Sequence, residues 1–167
     1  RAMKSVDTGD GAPQTAELTT PGACELSELL AAMVAHGCSH AVMEVSSHAL
    51  DQGRVDGLAF DVGVFTNLSG DHLDYHKTME AYAAAKAKLM ALAKVSVINA
   101  DDPWAEPMAR ASHGRAVRYA LGGECGSVEY RAIIEGMTAE GSDIRLINLD
   151  GPPADANRRP PGTATAD

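Results

Sequence analysis

The chain has 167 residues, a formal net charge of −9 and a pI near 5.0. That surface has no electrostatic attraction for nucleic acid or anionic membrane, so any bound phosphate must be held by backbone amides, metal ions or single arginines. No run reaches the roughly 18 apolar residues of a membrane span, no charged-then-apolar leader opens the sequence, and Cys24, Cys38 and Cys125 read as unbridged thiols of a reducing cytoplasm.

Residues 1–18 are polar and rich in Gly, Asp and Thr, and read as the N-terminal part of a domain cut short. Thr19-Thr20-Pro21 is a loop, because proline drives the residue before it out of the helical region. Leu26, Leu29, Leu30, Met33 and Val34 recur at helical spacing over residues 25–36, with Gly37 as the stop. Residues 40–45 and 61–68 are apolar runs of strand length. A helix through about Leu92 follows, then strands at 94–99 and 116–120 with a short helix at 103–112 between them. Alternating strands and helices predict an α/β fold with a doubly wound, mostly parallel sheet. Residues 128–134 and 143–149, separated by Gly136 and Gly141, predict an antiparallel edge hairpin. Residues 19–150 form the domain proper, and 151–167, crowded with Pro, Ala, Thr and Asp, a linker.

In such a sheet, ligands gather beyond the carboxyl ends of the strands. The first predicted strand ends in Glu44-Val45-Ser46-Ser47-His48, the second in Thr66-Asn67-Leu68-Ser69-Gly70-Asp71-His72, the third in Asn99-Ala100-Asp101-Asp102. Asp71-His72-Leu73-Asp74-Tyr75-His76 then sits at the mouth of a helix, with Asp71 at the N-cap and Asp74 in the first turn. On that helix Met79, Tyr82, Lys86, Leu89 and Met90 fall near one face, while Lys88 shares the opposite face with Ala81, Ala84 and Ala85. A lysine on an inward stripe lowers its desolvation cost by losing its proton, by pairing, by chemical alteration, or by snorkelling outwards. Glu44 could hold a hard cation such as Mg²⁺, Arg54 a substrate phosphate, and His72 with His76 a transition metal.

Taken together, Met43-Glu44-Val45-Ser46-Ser47-His48, Gln52-Gly53-Arg54, Val64-Phe65-Thr66-Asn67-Leu68-Ser69, the Asp71–His76 motif, Ala85-Lys86 and Ile98-Asn99-Ala100-Asp101-Asp102 resemble the Mur ligases. The likeness is strongest to the branch that adds the third residue of the peptidoglycan stem peptide. It implies a central ATPase domain of P-loop type. It further implies that Thr19, Thr20, Ser46, Gln52 and Arg54 contact the UDP-N-acetylmuramoyl-dipeptide. Glu44 would hold the Mg²⁺ that bridges the ATP phosphates. His72 and Lys86, the latter carbamylated by CO₂, would serve a second Mg²⁺, and Asn99 with Asp102 would lie beside the nucleotide. The implied reaction passes through an acyl phosphate that the amine of an amino acid then displaces.

No GxxxxGK[ST] phosphate cradle is present; in the family it lies upstream of the Thr-Thr-Pro segment, and a third domain that selects the amino acid lies downstream. The expectation is therefore a cytoplasmic ligase, monomeric in full-length form, whose present piece is inactive alone. A different class of function also fits the residues: a metal-dependent hydrolase with a dinuclear site of Glu44, His48, His72, Asp74 and His76.

Overall fold

The computed structural model describes residues 5–70, 73–121, 127–138 and 141–149. A short antiparallel pair, β1 (Ser5–Val6) and β2 (Gln14–Thr15), precedes the helix α1 (Ala23–Ala35). That helix stops as its sequence directs. Gly37 takes φ +82°, and the N–H groups of Gly37 and Cys38 close on the carbonyls of Val34 and Met33 at 3.0 and 2.9 Å. The short helix α2 (Ser47–Asp51) follows, then β3 (Phe60–Phe65), α3 (Leu73–His76), α4 (Met79–Leu92), β4 (Ala93–Asn99), α5 (Ala105–Ala111), β5 (Arg115–Leu121), β6 (Tyr130–Met137) and β7 (Ser142–Asn148).

The main sheet runs β3-β4-β5-β6-β7, parallel through β6 and antiparallel at the β6–β7 hairpin. The mostly parallel α/β sheet with an antiparallel edge is thus present as expected. The β3–β4 and β4–β5 crossovers are α4 and α5, which pack on one another over β4. Beneath them Phe65, Tyr82, Met90, Ile98 and Met108 form one buried cluster. Each such side chain removed from water contributes about 1.5–3 kcal/mol. Gly63 lets α4 lie close to β3: a Cβ there would stand 3.0 Å from the Ala93 Cβ and 3.3 Å from the Met90 methyl.

Three expectations need correction. Residues 40–45 are extended but join no ladder; a strand exists only through its partner, and here Val42 stays 96% exposed. Met43 and Val45 instead pack on a second cluster of Leu26, Leu50 and Val55. The helix also does not run on from the acid–imidazole motif. Lys77 adopts φ +67°, which breaks the helix, and Thr78 starts α4 afresh with its side-chain oxygen accepting from the Ala81 N–H at 3.1 Å. Finally, Ala85 is buried with Tyr82, not exposed with Lys88, because the covered stripe of α4 is wider than one row.

Candidate active site

The Thr-Thr-Pro loop is fixed by its own buried hydroxyl. Thr20 is 1% exposed; its Oγ1 donates to the Glu44 carbonyl at 3.0 Å and accepts from the Ser46 N–H at 2.9 Å. Ser46 in turn caps α2, its Oγ accepting from the Ala49 N–H at 3.2 Å. From the far side of α2, Arg54 donates through Nη1 to the Thr20 carbonyl and through Nε to Gln52 Oε1, each at 2.9 Å. Five predicted residues (Thr20, Glu44, Ser46, Gln52 and Arg54) therefore stand in one small cluster. Thr19 is half-buried next to it.

Lys86 lies on α4, half-buried, at a small cleft walled by Val45, Leu50, Val64, Phe65, Leu89 and Met90. Its amine is 5.7 Å from the centroid of the Tyr82 ring. Burial holds the Lys86 ammonium below the usual lysine range, while the Glu44 carboxylate pulls the other way. Lys88, by contrast, is exposed and reaches Asp51 at 3.4 Å and the Leu50 carbonyl at 3.3 Å. The sequence distinction between the two lysines is correct.

The sign of that shift has a consequence for stability. A base whose folded pKa is depressed below its unfolded value, 10.5, binds fewer protons when folded. It therefore opposes folding at neutral pH, and the penalty fades as pH rises towards the unfolded value. Lys86→Met should raise the thermal midpoint at pH 7 by about 2 °C, with a smaller gain at pH 10. Calorimetry at the two pH values reads the difference; an equal or lower midpoint at pH 7 would contradict it.

Asp71 and His72 lie outside the described residues, as does Cys125. The rest of the motif does other work than metal binding. His76 is 7% exposed, with Nε2 2.9 Å from the Ser47 hydroxyl and its ring stacked on Tyr82 at 5.1 Å and 13°. Tyr75 meets the His76 ring edge-on at 4.8 Å and the His48 ring at 4.1 Å, and donates its hydroxyl to Asp51 at 3.0 Å. Asp74 is exposed. Among the described residues no three of His, Cys, Asp or Glu gather as metal ligands. The dinuclear hydrolase built on Glu44, His48, His72, Asp74 and His76 is thus unsupported: its described members do not gather, and His76 Nε2 is engaged with the Ser47 hydroxyl.

At the carboxyl end of β4, Asn99 donates to the Thr66 carbonyl at 2.8 Å and accepts from the Asp101 N–H at 3.0 Å. Thr66 also lines the Lys86 cleft, so Asn99 stands one residue away from it. The two oxygens of Asp102 accept the N–H groups of Leu68 and Trp104 at 2.9 and 2.8 Å, clipping the end of β3 to the start of α5. Beside it, Glu106 and Arg118, paired at 2.7 Å, border a cleft of about 180 Å³. Sequence reading passed over Ser47 and Tyr75, and treated Tyr82 only as part of an apolar stripe. The one available signal was Tyr82 standing a helical turn before Lys86.

The donors present suit a hard cation in part. Glu44 is an exposed carboxylate, the oxygen chemistry that Mg²⁺ takes with water and phosphate. Lys86 could serve a cation only after conversion to a carboxylate. Among the described residues no helix is long and apolar enough to cross a membrane.

A mostly parallel α/β domain with its polar residues at one sheet edge is the class these features define. The chain belongs to the Mur ligase family: the family model "Mur ligase middle domain" matches residues 2–162. It is similar to UDP-N-acetylmuramoyl-L-alanyl-D-glutamate–2,6-diaminopimelate ligases. With that of Synechococcus elongatus it is 61% identical over 99 residues, covering 58% of this chain and 20% of the relative. With that of Ectopseudomonas mendocina it is 50% identical over 114 residues, covering 66% and 23%. A solved structure of a ligase of the same name superposes with a TM-score of 0.71 at 32% identity, covering 84% of this chain and 30% of that one. The chain thus spans about a fifth of the length of the curated relatives it matches.

Proposed function

We propose that this chain is most of the central domain of an ATP-dependent ligase that adds 2,6-diaminopimelate to UDP-N-acetylmuramoyl-L-alanyl-D-glutamate. Residues 1–18 would continue an upstream part of that domain, 19–150 its body, and 151–167 a linker to a third domain. The names of the relatives support the substrate and the added amino acid. The observation that carries the reading is the half-buried Lys86 at a cleft shared with Val45, within the electrostatic influence of Glu44, whose carbonyl is tied to the Thr20–Arg54 cluster.

Each residue has a role that its surroundings favour. Arg54, already oriented by Gln52 and the Thr20 carbonyl, presents a fixed guanidinium to an anionic part of the UDP-linked substrate, and Ser46 and Thr19 offer hydroxyls next to it. Partial burial favours the neutral amine of Lys86. Its lone pair adds to the carbon of CO₂, a C=O electron pair moves to oxygen, and the nitrogen proton leaves to solvent. The product is a carboxylate where an ammonium stood. Glu44 would hold one Mg²⁺, and His72 with that carboxylate a second; when bound, the ions supply charge neutralisation to the ATP phosphates. Asn99 lies near enough to the cleft to border the nucleotide, whereas Asp102 would act by keeping the β3 and β4 ends in place. ATP and a UDP-linked sugar are cytoplasmic compounds, which supports a cytoplasmic enzyme; a monomer belongs to the same reading.

The test is an assay of the full-length protein with ATP, Mg²⁺, diaminopimelate and the UDP-linked dipeptide. The expected result is phosphate release matched by an amide product in mass spectra, and no turnover by the 167-residue chain alone. Phosphate release without amide product, or turnover by the chain alone, would refute the proposal.

A further inference from the structure

We infer that Tyr82 and His76 are positioning residues for Lys86: a buried ring stack anchored on Ser47 holds the lysine side chain at its cleft. The inference rests on the role of Lys86 proposed above. A free lysine side chain has many rotamers, and loss of that freedom opposes any single placement of its amine. The cleft walls confine the apolar stem, and the Tyr82 ring, one turn earlier on α4, stands beside the amine. That ring is itself immobilised. Tyr82 is 4% exposed and lies nearly parallel to His76, which is buried and tied to the Ser47 hydroxyl at 2.9 Å.

The order Ser47–His76–Tyr82–Lys86 crosses three elements, α2, α3 and α4, by side chains alone. Ser47 follows Ser46 directly, and Ser46 is bonded to Thr20. The lysine and the Thr20–Arg54 cluster are therefore held in one register. This also gives His76 and Tyr82 a function that the acid–imidazole motif does not reveal by its composition.

The test measures CO₂ addition in the full-length enzyme with Mg²⁺ and ¹³C-bicarbonate, following the ¹³C carbamate resonance assigned to Lys86. Tyr82→Leu and His76→Leu should each lower the equilibrium constant for carbamate formation about fivefold, the scale of the rotamer freedom that an unconfined lysine side chain regains. Tyr82→Phe, which keeps the ring face, should leave it unchanged. Undiminished carbamate in either leucine variant, with a native circular dichroism spectrum, would overturn the inference. So would collapse of both leucine variants while Tyr82→Phe folds, since the stack would then serve stability only. Absence of the resonance from the unmodified enzyme would instead overturn the proposed role of Lys86 itself.

Discussion

Lys86→Ala in the full-length enzyme should reduce kcat by about a hundredfold or more, the scale seen when a group stabilising transition-state charge is lost. Alanine removes both the amine proposed to react and a side chain that lines the cleft with Val64 and Leu89. Lys86→Glu should recover part of the loss, because it restores a carboxylate on the same helix face, though on a shorter stem. The same position should respond in opposite senses to two assays, since Lys86→Met is expected to fold more stably at neutral pH. A residue that costs stability and supplies activity is what a desolvated functional lysine looks like. Measured kcat for the three variants decides the matter, and wild-type activity in Lys86→Ala would end the assignment.

Arg54→Ala should raise KM for the UDP-linked dipeptide by about ten- to a hundredfold, the equivalent of one lost charge-assisted hydrogen bond at 1.5–3 kcal/mol. The effect on kcat should be smaller, because Glu44 and Lys86 do not touch the guanidinium in any bond described above. Arg54→Lys should not rescue it. The three donors of a lysine share one nitrogen and do not reproduce the guanidinium fork, whose separate nitrogens hold Gln52 Oε1 and the Thr20 carbonyl. Steady-state kinetics with the dipeptide varied at saturating ATP reads the split; an unchanged KM would remove Arg54 from the substrate contacts.

Much of the sheet was legible in the sequence because its strands announce themselves by apolar, β-branched runs. The segments read at 94–99 and 116–120 are β4 and β5 to within a residue at each end, and the edge hairpin is present. The run at 40–45 has the same composition and yet forms no strand, since composition signals a strand but pairing makes one. The break at Lys77 left a trace. Thr78, a residue type favoured at N-caps, was the local signal for a fresh start, and the packing of His76 against Ser47 and Tyr82 accompanies the turn. At the site, Lys86 was readable from helical phase, whereas the ring stack was not, because its members come from three elements. The acid–imidazole motif drew attention to metal chemistry, and for His76 the structure gives that attention another object.

The two hydrophobic clusters described above have a common neighbour, Leu89, and otherwise separate memberships. One is the sheet with α4 and α5; the other gathers α1, α2 and the segment that carries Glu44 against Phe60 of β3 and Leu89 and Leu92 of α4. Regions with separate cores tend to open as separate cooperative units. Lys86 belongs to the first unit, while Glu44, Thr20 and Arg54 belong to the second. The constellation therefore straddles a seam between two cores, and its integrity depends on the contacts that α2 and the segment carrying Glu44 make with α4 and β3.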